Sequence, residues 1–128
     1  MSQTETGLKQ NLPDLKQDLR GGDFIGADLR GADLAGYDLA NARFFQADLR
    51  GANLQEANLE GVEFSAANLE GANLDGAKCK RAGFGRANLA NASLFRADLQ
   101  EVSLTQARLI AIQFPGTLAM AVLMKVVA

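Results

Sequence analysis

The residues best suited to chemistry crowd into one stretch, Gly76 to Leu89. It holds the single cysteine, Cys79, flanked by Lys78, Lys80 and Arg81, and then Gly83-Phe84-Gly85-Arg86. A thiolate among bases would be a nucleophile, and a glycine-flanked turn followed by a base would cradle a phosphate. Each reading makes a demand. The thiolate needs exposure with a base inside reach, and the phosphate needs a helix N-terminus or a Gly-Lys-Ser/Thr sequence, which this stretch lacks. The elements that position these residues therefore decide between a site and ordinary structure.

Those elements follow from a repeat. Every fifth residue from Leu19 to Phe114 is large and apolar: 14 Leu, 5 Phe and Cys79, with no polar residue among the 20. Two residues before each of these centres, 14 of 20 positions are Ala, the exceptions being Gln17, Gly22, Tyr37, Val62, Val102 and Ile112. Immediately before the centre, 12 of 20 are Asp or Asn, and two after it nine are Gly and two Asn. An α-helix advances about 100° per residue, so a five-residue period cannot hold one stripe along it. Strand alternation would place successive centres on opposite faces. A coil with one corner per pentad satisfies the pattern, with the centre and the small residue two before it inside. Gly or Asn after the centre suits the corner, because both tolerate positive φ.

A second period counts the sides. Phe24, Phe44, Phe64 and Phe84 are spaced by twenty residues, four pentads. One circuit of four pentads stacks these rings in a column, where aromatic pairs gain beyond burial. Five circuits fill residues 17–116. At about 4.8 Å per coil the stack is roughly 24 Å tall.

Stretches such as ANLEG (67–71) and ADLRG (27–31) resemble the motif of the pentapeptide repeat family. The resemblance implies an all-β solenoid, a right-handed quadrilateral β-helix, in agreement with the phenylalanine period. It also implies two functional classes. One is a non-enzymatic scaffold or protein-interaction module. The alternative is a DNA mimic, since some members of that family are acidic dimeric rods that occupy the DNA-binding saddle of DNA gyrase or another type II topoisomerase and confer quinolone resistance.

The ends differ from the repeat. Residues 1–16 are expected to form a tail and cap: Leu8, Leu12, Leu15 and Leu19 make a helical stripe, and Asn11 with Pro13 predicts a short helix over about 12–18. After Pro115-Gly116, residues 117–128 are apolar nearly all round and predict a helix that caps the last coil. Its surplus apolar face, Leu118, Met120, Val122, Leu123, Val126 and Val127, predicts a homodimer contact. The resemblance points the same way, through a C-terminal dimerising segment.

Composition narrows the chemistry. The chain has 128 residues, no histidine, no tryptophan and a formal net charge of −2. One cysteine excludes an internal disulfide. The polar start predicts no secretory signal, and the longest apolar run is far short of the ~20 residues of a membrane span, so a cytoplasmic protein is expected. The repeat fills its own interior, which leaves no cleft to gather nucleophile, base and orienting groups. Cys79 falls on a centre and reads as a buried leucine substitute. No enzyme activity, metal or cofactor is expected.

Charge weighs on the two functional classes. Duplex DNA carries about one negative charge per 1.7 Å, so a ~24 Å mimic needs on the order of 14. Residues 1–77 hold 13 acids and 6 bases, net −7, and residues 78–128 hold 2 acids and 7 bases, net +5. Residues twenty apart lie over one another and can pair. This stacking predicts a column Asp23, Arg43, Glu63, and pairs Arg50 with Glu70, Glu60 with Lys80, Lys78 with Asp98, and Arg81 with Glu101. Asp28 over Asp48 and Arg30 over Arg50 are like-charged. Arg86 and Arg96 have no acidic residue twenty away; direct nucleic-acid binding is not expected from two arginines without interleaved aromatics. With Ile25 and Phe45, which follow successive Phe centres on the outside, they form the candidate surface for a protein partner whose identity the sequence does not give. The core is assigned to Phe24, Phe44, Phe64, Phe84 and Cys79.

Overall fold

A computed structural model describes residues 18–113. Why a pentad turns a corner follows from its backbone hydrogen bonds. In residues 47–51, the Ala47 N–H closes a turn on the Phe44 carbonyl at 2.9 Å. The Asp48 N–H donates back one circuit to the Ala27 carbonyl at 2.9 Å, and the Leu49 and Gly51 N–H groups donate forward to Asn68 and Glu70 at 2.7 and 3.0 Å. Four of the five amides are thus fixed by the main chain. The fifth, on the residue after the centre, has no main-chain acceptor in this scheme, and its fate defines the outer surface.

The register is twenty residues throughout. Parallel bridges run from Asp18–Asp38 to Ser93–Gln113, one per pentad, always between the residues that precede the centres. The described residues form nearly five circuits of a four-sided parallel β-helix, and no helix occurs among them. Asp18, placed by its sequence at the end of the N-terminal helix, is instead bridged in parallel to Asp38, and the Leu19 N–H donates to the Asp38 carbonyl at 2.8 Å. The rest of the proposed N-terminal cap and the proposed C-terminal dimer segment, Leu118 to Val127, lie outside the described residues.

Each corner is a type II turn: the N–H three residues on returns to the centre's carbonyl, and the second residue after the centre has positive φ. Gly51 takes this position at φ +68° with open space around it. Eleven residues with side chains adopt it too, among them Asn41 and Asn91 as the sequence suggested, but also Gln46, Ala66, Arg86 and Arg96 at φ 58° to 62°. The inter-coil bonds on both sides of each corner over-determine the backbone and hold these residues in a region that disfavours a Cβ.

The interior is apolar, with no buried charged residue among those described. The four phenylalanines stack at centroid separations of 4.9, 5.1 and 5.1 Å with interplanar angles of 13°, 22° and 13°. Burying each ring stabilises by about 1.5–3 kcal/mol, and each stacked pair adds about 0.5–1.5 kcal/mol. Cys79 is fully buried in the column of Leu59 and Leu99. Tyr37, oversized for an Ala position, is expected from its sequence to bulge the wall or to reach toward the N-terminal cap, which lies outside the described residues. The wall does not bulge: the Asn58 N–H still donates to the Tyr37 carbonyl at 2.9 Å, and the bridges of Asp38 on both sides are kept. The ring is buried instead, and its hydroxyl has no hydrogen-bond partner among the described residues.

Candidate functional site

The outer surface is organised by that fifth amide. At all twelve Asp or Asn positions before a centre, the side-chain Oδ1 accepts the N–H two residues on, at 2.9 to 3.3 Å. This is the local side-chain closure that suits Asp and Asn to turns. Where the residue after the centre is Arg, the guanidinium joins the same carboxylate with two bonds. Arg30 donates from Nε and Nη2 to Asp28 at 2.8 and 2.9 Å, and Arg20–Asp18 and Arg50–Asp48 repeat the fork.

The charge pairs therefore differ from those drawn by stacking alone. Arg50 closes on Asp48 in its own turn rather than on Glu70, since two residues across a tight turn are nearer than one circuit away. Arg81 bonds Glu60 rather than Glu101. No ion pair joins Asp23, Arg43 and Glu63, nor Glu60 with Lys80, nor Lys78 with Asp98; the first and last of these sets are aligned only through their backbone bridges. The like-charged Asp28 and Asp48 are reconciled by Arg30, whose Nε also stands 3.9 Å from Asp48. Arg20 holds the Asp18 carboxyl down to about 2, chiefly through its side-chain hydrogen bonds, and Arg50 lowers that of Asp48 in the same way.

Six of the described turns lack such an acceptor: those of Lys80 and Ile110 stand singly on two corners, and four others follow one another on a third. Along the phenylalanine column the residues before the centres are Asp23, Arg43, Glu63, Gly83 and Ser103. After the Ile25 N–H, taken by Asp23 at 3.2 Å, the N–H groups of Phe45, Ser65, Gly85 and Thr105 have neither a main-chain nor a side-chain acceptor among the described residues. The same four residues, with Gln46, Ala66, Arg86 and Gln106, line an outer groove of about 380 Å³. It exists because Ser65, Ala66 and Gly85 are small between the Phe45 ring at one end and Thr105-Gln106 at the other. Three coil steps of about 4.8 Å make the file of amides roughly 14 Å long.

The groove unites Phe45 with Arg86, two of the four residues the sequence offered as a partner surface. Ile25 stands one coil before Phe45 on the same corner, where the Gly26 N–H donates to the Phe45 carbonyl at 2.9 Å; both side chains are 41% exposed. Arg96 is not brought in, because two further pentads place it on the diagonally opposite corner. Arg86 is exposed and donates from Nε to the neutral Gln106 Oε1 at 3.2 Å. Glu63 lies beside the groove and accepts the Ser65 hydroxyl. Sequence reading missed the amides, Ser65, Gly85 and Thr105. The signal was present as the loss of Asp or Asn at 43, 63, 83 and 103 in a single column.

Cys79 is no nucleophile in this setting. Burial, and secondarily the charge of Asp98, push its thiol up to about 12. Among the described residues no cluster of three or more His, Cys, Asp or Glu could hold a metal ion, and no helix is long and apolar enough to cross a membrane.

Comparison with known proteins bears on the whole solenoid. A search of curated protein sequences gives no match. Among solved structures, a pentapeptide repeat protein from the Arabidopsis thaliana thylakoid lumen is 28% identical, with a TM-score of 0.84 over 87% of this chain and 77% of that one. HetL, a pentapeptide repeat protein involved in heterocyst differentiation regulation in the cyanobacterium Nostoc sp. strain PCC 7120, is 35% identical over 77% of this chain and 54% of its own, with a TM-score of 0.37. QnrB1, a plasmid-mediated fluoroquinolone resistance protein, is 20% identical over 80% of this chain and 64% of its own, with a TM-score of 0.35. A profile for pentapeptide repeats matches residues 16–44, 42–78 and 72–109. With that profile covering most of the coils whose hydrogen bonds are described above, the chain belongs to the pentapeptide repeat family, whose fold is the right-handed quadrilateral β-helix.

Proposed function

We propose that this protein is a rigid, non-enzymatic interaction module that docks a protein partner on the corner of Ile25, Phe45 and Arg86. The observation that carries this reading is the groove itself: a concave strip on the outer wall, with an exposed aromatic ring at one end and an arginine along it. Aromatic residues and Arg are the side chains most enriched where interfaces concentrate their binding energy. Among the described residues the interior is filled by the apolar core, so the outer walls are the surface available for recognition. Mimicry of duplex DNA has less support. Asp18, Asp28 and Asp48 are each neutralised inside a single turn by an arginine, which removes the uniform acidic field a mimic needs.

The test is quantitative affinity capture from native lysate with wild type and Phe45→Ala. Proteins held by wild type and lost from Phe45→Ala, at an unchanged unfolding midpoint, are the expected result. A captured set indifferent to Phe45 would remove the reading. Gyrase supercoiling unaffected by micromolar protein is the companion expectation, and inhibition would favour mimicry.

A further inference from the structure

We infer that the groove is a carboxylate-binding site for an acidic, partly apolar peptide segment of the partner, an inference that rests on the interaction-module reading and gives it a chemistry. Its basis is the file of four amides. At thirteen other turns the same N–H group is met by an Asp or Asn oxygen, twelve from within the turn and one, Phe95, from Asp75 a coil earlier, which shows what the turn geometry accepts: a side-chain oxygen approaching from outside the wall. At Phe45, Ser65, Gly85 and Thr105 the chain supplies no such oxygen. Four successive donors, one per coil, therefore face a single groove and call for acceptors from another molecule.

The charges around them set the sign. Arg86 lines the groove with only the neutral Gln106 as partner, and Arg43 is exposed at the flank; the acids of this column are Glu63, whose carboxylate is engaged by the Ser65 hydroxyl, and Asp23 at the Ile25 end, which accepts the Ile25 N–H. Ser103, Thr105 and Gln106 are neutral. A carboxylate gains from both the arginine and the amides, and bonds to a charged acceptor are about twice as strong as neutral ones. A metal cation has no use for a file of donors. Single-stranded nucleic acid binds where aromatic platforms receive successive bases, and here one ring, Phe45, stands at one end only, followed by Ser65, Gly85 and Thr105. A peptide that combines carboxylates with apolar side chains matches both parts, the acids over the amides and Arg86, the apolar groups against Phe45 and Ile25.

The inference suggests its own variant. Gly83→Asn with Ser103→Asn gives Gly85 and Thr105 the oxygens that cap the other turns. An added Cβ at Gly83 meets only the Glu63 carboxylate, at 3.3 Å, the movable end of an exposed side chain. Arg86→Gln is the second variant, on an exposed residue.

The probe is a fluorescein-labelled peptide of alternating Glu and Leu, read by anisotropy on the full chain, with its Gln-for-Glu counterpart and oligothymidylate as controls. The acidic peptide is expected to bind and to shift the amide resonances of Phe45, Ser65, Gly85 and Thr105. The paired Asn variant and Arg86→Gln are each expected to weaken it about tenfold or more. Absence of acidic-peptide binding, equal binding of the Gln peptide, tighter binding of oligothymidylate, or indifference to both variants would overturn the inference. Should Phe45→Ala lose captured proteins that the Asn pair and Arg86→Gln retain, the interaction-module reading would stand and the carboxylate chemistry would fall.

Discussion

Asp48 and Arg50 face each other across their own turn, with the guanidinium forked onto the carboxylate at 2.9 and 2.6 Å, although Glu70 lies one coil beyond Arg50. The same fork recurs at Asp18–Arg20 and Asp28–Arg30, so acid and base are matched within a pentad. Each pair is exposed enough for salt to screen it, and no large stability should be assigned to any one.

Their titration nevertheless gives a pH signature. Asp18 falls from an ordinary 3.8 to about 2, and Asp48 is lowered likewise. A carboxylate depressed in the folded state binds its proton more weakly there than in the unfolded chain, so its contribution is complete above about pH 4. That contribution is lost as pH falls through about 2. The thermal midpoint should drop over this window. In Asp18→Asn/Asp48→Asn the drop should be smaller, because Asn keeps the bond to the backbone N–H without titrating.

The phenylalanine stack predicts an order of effects. Phe64 has a ring on both sides, at 5.1 Å each, whereas Phe84 has one stacked partner, Phe64, and is followed in its column by Leu104. Phe64→Leu should therefore destabilise by about 1–3 kcal/mol and by more than Phe84→Leu, since two stacked pairs are lost instead of one. Phe64→Ala should be more severe, about 3–5 kcal/mol, through the cavity it leaves. Denaturant midpoints at constant slope would establish the order.

The left-handed corners predict a pair of opposite changes. Gly51, at φ +68° with nothing within 4 Å of an added Cβ, isolates the backbone effect. Gly51→Ala should destabilise by about 1 kcal/mol. Ala66→Gly, at φ 59°, should reverse the sign by a similar or smaller amount, and thermal unfolding of both against wild type is the measurement.

Cys79 should report unfolding rather than reactivity. With its thiol raised to about 12 inside the Leu59–Leu99 column, it should resist iodoacetamide at pH 8 in the native protein and react in denaturant. Cys79→Ser should destabilise by about 1–3 kcal/mol by burying a hydroxyl with no acceptor, and rapid native labelling would contradict this placement.

The architecture was legible in the sequence because two periods, five and twenty, act on different structures: one sets the corner and the other sets the coil. The stack of Phe24, Phe44, Phe64 and Phe84 and the burial of Cys79 followed from them. The charge partners did not, since twenty-residue spacing describes which backbones are adjacent, while Arg50 has a long side chain that folds back on Asp48 first. Arg81 shows the same freedom by choosing Glu60. Of the proposed partner surface, Phe45 was legible as an outward ring beside Ile25, and Arg86 as a base with no acid twenty residues away. The amides between them were hidden because a missing hydrogen bond leaves no residue to notice, only an Arg, Glu, Gly and Ser where Asp or Asn serves at most other turns. The burial of the Tyr37 ring was not legible, because an Ala position gives no hint that the first coils admit a whole ring.

The unbroken twenty-residue register has a metric consequence. Each circuit contacts only the circuits before and after it, so such a solenoid grows or shrinks by whole units. The molecule is in effect a ruler, graduated every ~4.8 Å. The distance from Phe45 to Thr105 is three of those graduations, and insertion of one complete circuit between them would lengthen the span by a single graduation while leaving every other mark in place.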